Sequence, residues 1–600
     1  MLLNQPVNRE RLFLAIAGLL QGVATWIVVR IDPHESLERS LYFGLLAWVL
    51  SSGLLFQFAS SGSKYPRLAA VAMGLGVPFA LLTYHVVSQL PPDGSSSEGD
   101  SARLGTWCAA VLLALYILLP YVQIYQRSGR LTFPYSDLYL HSWNNFFLAG
   151  LGWFYAGIYW ALVWICAGLF NAIGIDAVQQ LISKPSFIAI TTGVVGGLGV
   201  ALAKEHAQII TTLRSIVSTV FHSLTPLLVV IVLSFLVALP FTGLSALWAT
   251  KWASSILLAL LLLILLFVNA VFQDGEGNRP YGNLVRRGVD AMLLAMPILV
   301  GLTLYSMNLR IEQYGLTPER YYAIVFAIVL GGYSAGYAWS ASKTATLWLG
   351  GIRPFNIAFS FVVLGLAFAL HSPLMDPLKR SAEDQEHRLL SGKVDVARFD
   401  FGTMRFELGH YGQAVLDRLA QLTAHPEHGQ ILVQLEKLKK TKSKWQWVSP
   451  ANMATATPEE MLTKLTIFPS NHTIPTALLS NIQSKSDGYL VSSCTAAHPC
   501  DIVAGQWDDD PEQEYVFLNG CGHIGRGCRN YTAALFDQVG ATTWREIASI
   551  SIPGDTAHLP RGAALLAAQE GRLKFSAAQY HCVTVGKEGK ECDYWGNKTD

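Results

Sequence analysis

The chain has 600 residues, 52% hydrophobic and only 14% charged, with a mean hydropathy of +0.35 and a formal net charge of +1. That is too apolar for an ordinary soluble chain and indicates a membrane protein. A near-neutral balance, without a concentrated basic and aromatic patch or a zinc-finger spacing, argues against nucleic acid as a partner.

Charge divides the chain at His371: residues 1–371 hold 20 Lys+Arg and 15 Asp+Glu, whereas residues 372–600 hold 23 and 27. Ionised groups are costly in hydrocarbon and a soluble domain needs a charged surface, so residues 1–371 are expected to be the transmembrane domain. Eleven apolar runs there are long enough to cross ~30 Å of hydrocarbon at about 1.5 Å per residue. They fall near 11–29, 41–58, 68–89, 104–125, 143–171, 186–203, 221–240, 252–273, 289–308, 320–338 and 354–371. The first is followed by Arg30-Ile31-Asp32-Pro33 rather than by a small-residue cleavage site, so it reads as a retained span. Alternate loops carry 13 and 7 basic residues, which places the N-terminus in the cytoplasm and, with an odd number of spans, the remainder outside.

Within the spans, Gly332-Tyr333-Ser334-Ala335-Gly336 matches the nucleophile pattern of serine hydrolases, but it lies in an apolar helical run instead of a strand-to-helix turn. Small residues at that spacing, as at Gly193, Gly196, Gly197 and Gly199, more simply allow close helix approach. Intramembrane carboxylates are nearly lacking: Asp290 lies at a span end, and neutral groups such as His85, Asn144, Asn145 and Asn269 reach inward. This weakens ion-coupled transport. Lys204-Glu205-His206, and Asp137 with His141, sit at span ends, where acid–base chemistry competes with ordinary interfacial polarity. A short first outer loop with Asp32, Glu35 and Glu38 resembles in outline the acidic loop of membrane glycosyltransferases.

The outer loop before the tenth span contains Tyr314-Gly315-Leu316-Thr317-Pro318-Glu319-Arg320. Thr317 suits a helix cap, Pro318 its first position and Glu319 the positive end of its dipole. Capping leaves Arg310, Glu312, Tyr314 and Arg320 as the candidate binding residues, able to take an anionic head group or to dock the soluble part.

Residues 372–450 have helix-like apolar recurrence, as in 411–419 and 431–438, and are expected to form a helical juxtamembrane segment. Its Lys437, Lys439, Lys440, Lys442 and Lys444, followed by Trp445 and Trp447, suit either an anionic surface or a solvated helix end. Residues 451–600 are expected to form a small antiparallel β domain, from short runs at 489–491, 501–503, 515–518, 533–536 and 547–550 separated by Gly, Asn and Pro. Cys494, Cys500, Cys521, Cys528, Cys582 and Cys592 form an even set in a segment assigned to an oxidising compartment, which favours a disulfide framework of three local pairs over reduced, buried thiols. Asp508, Asp509 and Asp510 are a calcium candidate set against an acidic turn. Histidines adjoin the cysteines (His498, His523, His581), but there is no C-x-x-C, and no metal or cofactor is assigned.

Three stretches together resemble a known family: 310–323 (Arg310 through Ala323), Ser372-Pro373 with Asp376-Pro377, and Gln385 with Arg388 through Val394. They are similar to the bacterial membrane family catalogued as domain of unknown function 4153. The likeness covers residues 10 to 420, including Arg398-Phe399-Asp400-Phe401 and Gly409-His410-Tyr411-Gly412, and leaves the last 150 residues or so unmatched. It implies a polytopic bacterial inner-membrane protein, hence a periplasmic C-terminal part, and carries no activity. The favoured reading is envelope binding or assembly, with an envelope lipid, glycan or protein as partner. The alternatives are a transporter or flippase for a lipid-linked or neutral solute, and a membrane enzyme acting on a lipid-linked substrate.

Overall fold

The structure, a computed structural model, describes residues 6–30, 38–60, 65–90, 98–244, 252–275, 281–343 and 347–441, and beyond these 444, 447, 462, 465–469, 472–485, 500–505, 513–520, 530–540 and 543–553. Among the described residues, eleven helices are long and apolar enough to cross a membrane. They are α1 (Pro6–Arg30), α2 (Arg39–Ala59), α3 (Tyr65–Ser88), α4 (Glu98–Ser128), α5 (Tyr135–Ala172), α7 (Pro185–Glu205), α8 (Ala207–Thr242), α9 (Ala253–Phe272), α10 (Asn283–Tyr314), α11 (Pro318–Ser342) and α12 (Ile352–Ala369), with a short α6 (Ala177–Ile182) between α5 and α7. Each expected apolar run falls on one of them. Several helices outrun their apolar stretch, as where α5 starts at Tyr135 and α8 at Ala207, because a helix continues through polar residues once it leaves hydrocarbon. Prolines inside helices, such as Pro78, Pro120 and Pro297, are tolerated where neighbouring groups satisfy the freed carbonyls.

Packing follows side-chain size. A Cβ on Gly18 would stand 2.1 Å from the Gly193 carbonyl oxygen, and one on Gly197 would stand 2.1 Å from that of Leu14. Thus α1 and α7 touch backbone to backbone, the use of small residues expected in membranes. Gly332 and Gly336 likewise receive the rings of Phe359 and Phe355, while Ser334 between them is wholly buried on a regular helix. That geometry lacks the strained turn a nucleophilic serine needs. The largest core joins α8 to α12 around Leu261, Ile264, Met292, Leu293 and Met296, all 0% exposed.

Among the described residues, four helices lie between the spans and the sheet: α13 (Pro377–Leu390), α14 (Phe401–Phe406), α15 (Gly409–Gln421) and α16 (His428–Lys440). The chain forms two compact units, one of residues 1–394 and 403–435 and the other of 395–402 and 436–600. α13 and α15 therefore belong with the spans, as a layer on the side of the bundle where α12 ends, called the layer side below.

The second unit contains a five-stranded sheet in the order β1 (Leu465–Phe468), β2 (Cys500–Gly505), β3 (Glu514–Gly520), β4 (Asn530–Gly540) and β5 (Thr543–Pro553). The sheet is mixed, which corrects the antiparallel expectation: β1 runs parallel to β2, and the other pairs are antiparallel. A parallel pair needs a crossover, and α17 (Thr476–Lys485) lies in it, burying Leu478, Leu479 and Ile482 against Ile502, Phe517 and Phe536. Four expected strand runs fall in β2 to β5; the run at 489–491 lies outside the described residues. Of the six cysteines of this half, Cys500 lies on β2 and the other five lie outside the described residues.

Candidate functional site

On the layer side, five polar groups from three spans and the turn after α12 converge where hydrocarbon-facing helices end. Asp376 caps α13: its Oδ1 accepts from Leu378 N–H at 2.9 Å, and Pro377 takes the first helical position, where no N–H is needed. Its Oδ2 accepts from Arg103 of α4 at 2.9 Å and from His85 of α3 at 3.3 Å. The side chains of Asp376 and Arg103 are only 1% and 3% exposed. His371 lies alongside: its Nδ1 donates to the Ala367 carbonyl at 2.9 Å, which leaves Nε2 to accept from the Tyr322 hydroxyl of α11 at 3.3 Å. Thr106 donates to the Tyr322 oxygen at 3.3 Å, and Trp107 packs on the His371 ring at 5.1 Å.

The electrostatics follow from burial and pairing. Burial alone would raise the Asp376 carboxyl, but the hydrogen bond from His85, the charge of Arg103 and the Leu378 N–H outweigh it and hold the group below the usual carboxylate range. Burial, with Arg103 nearby, pushes the His371 imidazole down, so it is held neutral. The arrangement is an ion-paired fastening between the helix layer and the spans.

Of the four residues singled out in the sequence, Arg310, Glu312 and Tyr314 lie toward the C-terminal end of α10 and Arg320 lies in the first turn of α11. Arg320 donates to the Gly315 carbonyl at 2.6 Å, and its guanidinium lies 5.5 Å from the centre of the Tyr314 ring. Glu312 accepts from Asn308 at 2.9 Å, and Tyr314 is largely exposed. Arg310 is half-buried in α10, about one turn before the helix ends. The loop is gripped through its backbone. Arg388 of α13 donates to the carbonyls of Ile311, Glu312 and Gln313 at 3.2–3.3 Å, Asp384 accepts from Leu316 N–H at 2.8 Å, and Gln385 donates to the carbonyls of Tyr314 and Leu316. A buried guanidinium therefore satisfies the orphan carbonyls of Glu312 and Gln313 at the end of α10 and shares that of Ile311 with the Gly315 N–H.

Sequence reasoning passed over Arg103, Tyr322, His371 and Asp376 as chemistry. The available signal was Asp376-Pro377 itself, a helix-start signature placed directly after the last span.

The other candidates take local roles. Lys204 Nζ donates to the carbonyls of Gln57 and Ser60 at 2.9 and 2.8 Å, capping α2, while Glu205 pairs with Arg11 at 2.5 Å. His141 lies 3.5 Å from Arg127. Glu38 accepts from the Tyr84 hydroxyl at 3.2 Å, whereas Asp32 and Glu35 lie outside the described residues. So do Asp508, Asp509 and Asp510, His498, His523 and His581, and Lys442 and Trp445. Lys437 sits over the Trp447 ring at 5.6 Å, and Lys439 pairs with Glu436 at 2.8 Å. Among the described residues, no group of three or more His, Cys, Asp or Glu could hold a metal ion.

The Asp376 fastening and the Arg388 grip both lie within the stretch that matches a family model, domain of unknown function DUF4153, over residues 10–419. The chain belongs to this family. It is a polytopic membrane protein, in contact with the bilayer through many apolar helices. The DUF4153 match ends within α15 and leaves the sheet unit unmatched. No match to the chain is found among curated proteins or among solved structures.

Proposed function

We propose that this DUF4153 protein is an inner-membrane protein, with its N-terminus in the cytoplasm, that works in envelope binding or assembly. In this reading residues 1–371 anchor it, residues 372–450 form a helical platform, and residues 451–600 are a disulfide-braced periplasmic part that meets a lipid, glycan or protein partner. The observation that carries the reading is the fastening of α13 to the spans through Asp376, Arg103 and Arg388, with both arginines and the carboxylate buried. A layer held that firmly is a fixed base for the segment that follows it in the chain. Arg310, Glu312, Tyr314 and Arg320 then serve as the docking edge of that base.

A second reading, passage of a solute, draws on one cluster inside the spans. Tyr337, 0% exposed, donates to Asn356 at 2.9 Å and shares hydrogen bonds with Asn269, and Asn356 donates to Tyr135 at 3.1 Å. Native mass spectrometry of the full-length protein extracted with its surrounding lipid separates the two. A second protein retained at fixed stoichiometry supports assembly. A chain without one, which moves a solute across proteoliposomes, overturns it in favour of passage.

A further inference from the structure

The short helix α6 closes the end of an apolar cleft that has no part in the fastening described above. Leu162 and Cys166 of α5, Leu181 and Ile182 of α6, and Phe187 of α7 line a cavity of about 330 Å³. That is near the lower end of ligand-site volumes, roughly 300–1,000 Å³. The wall is apolar side chains, the Tyr159 ring and one thiol, and Cys166 is free. On its α5 side the protein supplies little cover: only 6% of the most apolar stretch of α5 is buried, and Leu162 itself is 62% exposed. The cleft therefore opens sideways, toward what surrounds the spans.

Its side of the membrane follows from counting. α6 joins the fifth span to the sixth, and α13 follows the eleventh, so with every span crossing both lie on the same side. α6 itself reads Ala177-Val178-Gln179-Gln180-Leu181-Ile182: Val178, Leu181 and Ile182 line the cleft while Gln179 and Gln180 do not. An amphipathic single turn of this kind belongs at the boundary between acyl chains and head groups. At that boundary stands Lys184, exposed, the N-cap of α7, two residues from Ile182 and three from Phe187. A basic residue there attracts anionic head groups.

We propose that this cleft is a binding site for an anionic phospholipid of the layer-side leaflet, one acyl chain entering against Leu162, Cys166 and Phe187 and the phosphate meeting Lys184. The site is independent of the envelope reading above. It would make one lipid per chain a specific ligand rather than bulk solvent.

Cys166 supplies the probe. The delipidated full-length protein in detergent is titrated with phosphatidylglycerol or with phosphatidylcholine of the same acyl chains, and maleimide modification is followed at Cys166 and Cys108 by peptide mass spectrometry. Phosphatidylglycerol is expected to slow Cys166 with single-site saturation while leaving the exposed Cys108 of α4 unchanged. Lys184→Ala is expected to raise the phosphatidylglycerol needed by about fivefold, the weight of one basic residue at a charged surface, and to bring it level with phosphatidylcholine. Leu162→Trp fills the cleft and is expected to abolish the effect; if that variant does not fold, the Lys184 arm stands alone. No slowing with either lipid, equal slowing at Cys108, or a phosphatidylglycerol preference unchanged in Lys184→Ala would each overturn the assignment.

Discussion

Arg103 and Asp376 are separated by 273 positions in the chain, yet Nη2 and Oδ2 meet at 2.9 Å in a site where neither side chain sees water. A buried ion pair is costly to assemble and costlier to break, because removing one partner strands the other charge. Asp376→Ala is therefore expected to destabilise the membrane unit by about 3–5 kcal/mol, with Arg103→Ala in the same range. The double replacement Arg103→Ala with Asp376→Ala should cost less than the sum of the single changes. Thermal unfolding of the purified variants in one detergent measures this; strictly additive effects would show that the pair is not coupled.

Acidification should loosen the same place in two steps. His371 has a folded-state pKa below its ordinary 6.5, so the unfolded chain binds more protons there. Its contribution is complete above about pH 6.5 and is lost as the pH falls through the lower folded value. Asp376, also depressed, contributes stability that is present above its ordinary 3.8 and disappears only as the pH falls below that. Arg103, Asp376 and Tyr322 face His371 from the surrounding elements, and His85 faces Asp376. In unfolding midpoints recorded from pH 7.5 to 5, the wild type should fall relative to His371→Gln as the pH drops below about 6.5. Parallel curves would rule out His371 as the titrating group.

The turn after α10 should be sensitive through its backbone. Gly315 has φ +78°, and a Cβ there would stand 2.3 Å from Gln385 Nε2. Gly315→Ala combines left-handed strain of about 1 kcal/mol or more with displacement of the α13 grip. Arg388→Lys keeps the charge but loses the planar fork that reaches three carbonyls. Both are expected to speed hydrogen exchange of Leu316 N–H, which Asp384 accepts, whereas Tyr314→Ala, at an exposed side chain, should leave it protected.

What was legible in the sequence depended on how local the cause was. Hydrophobic runs mark the spans because hydrocarbon acts on every residue of a helix at once. Helix ends such as Tyr135 and Ala207 were harder to read, since polar residues extend a helix without announcing it. The Thr317-Pro318 start was readable, and Thr317 does cap α11 by accepting from Arg320 N–H. The fastening was not: Asp376 meets residues of α3 and α4, and no pattern near Asp376 encodes those partners. The grip on the connection flanked by Arg310, Glu312, Tyr314 and Arg320 runs through carbonyl groups, which every residue has, so no side-chain pattern announces it. β1, four residues long and paired with a strand 35 positions on, escaped for the same reason.

The contact between α1 and α7 gives the sharpest comparison, because neighbouring glycines of one helix have opposite surroundings. A Cβ on Gly193 would fall 2.3 Å from the Gly18 carbonyl oxygen and 2.9 Å from the Gly22 backbone, neither of which can rotate away. Three positions on, a Cβ on Gly196 would meet nothing within 4 Å. Helix propensity favours alanine over glycine by about 1 kcal/mol at both sites, so propensity predicts equal gains and packing predicts opposite outcomes. Packing should win: Gly193→Ala is expected to force the helices apart and to lower the unfolding midpoint of the purified protein, while Gly196→Ala is neutral or slightly stabilising. Equal effects of the two substitutions would mean that the spans do not approach through these glycines.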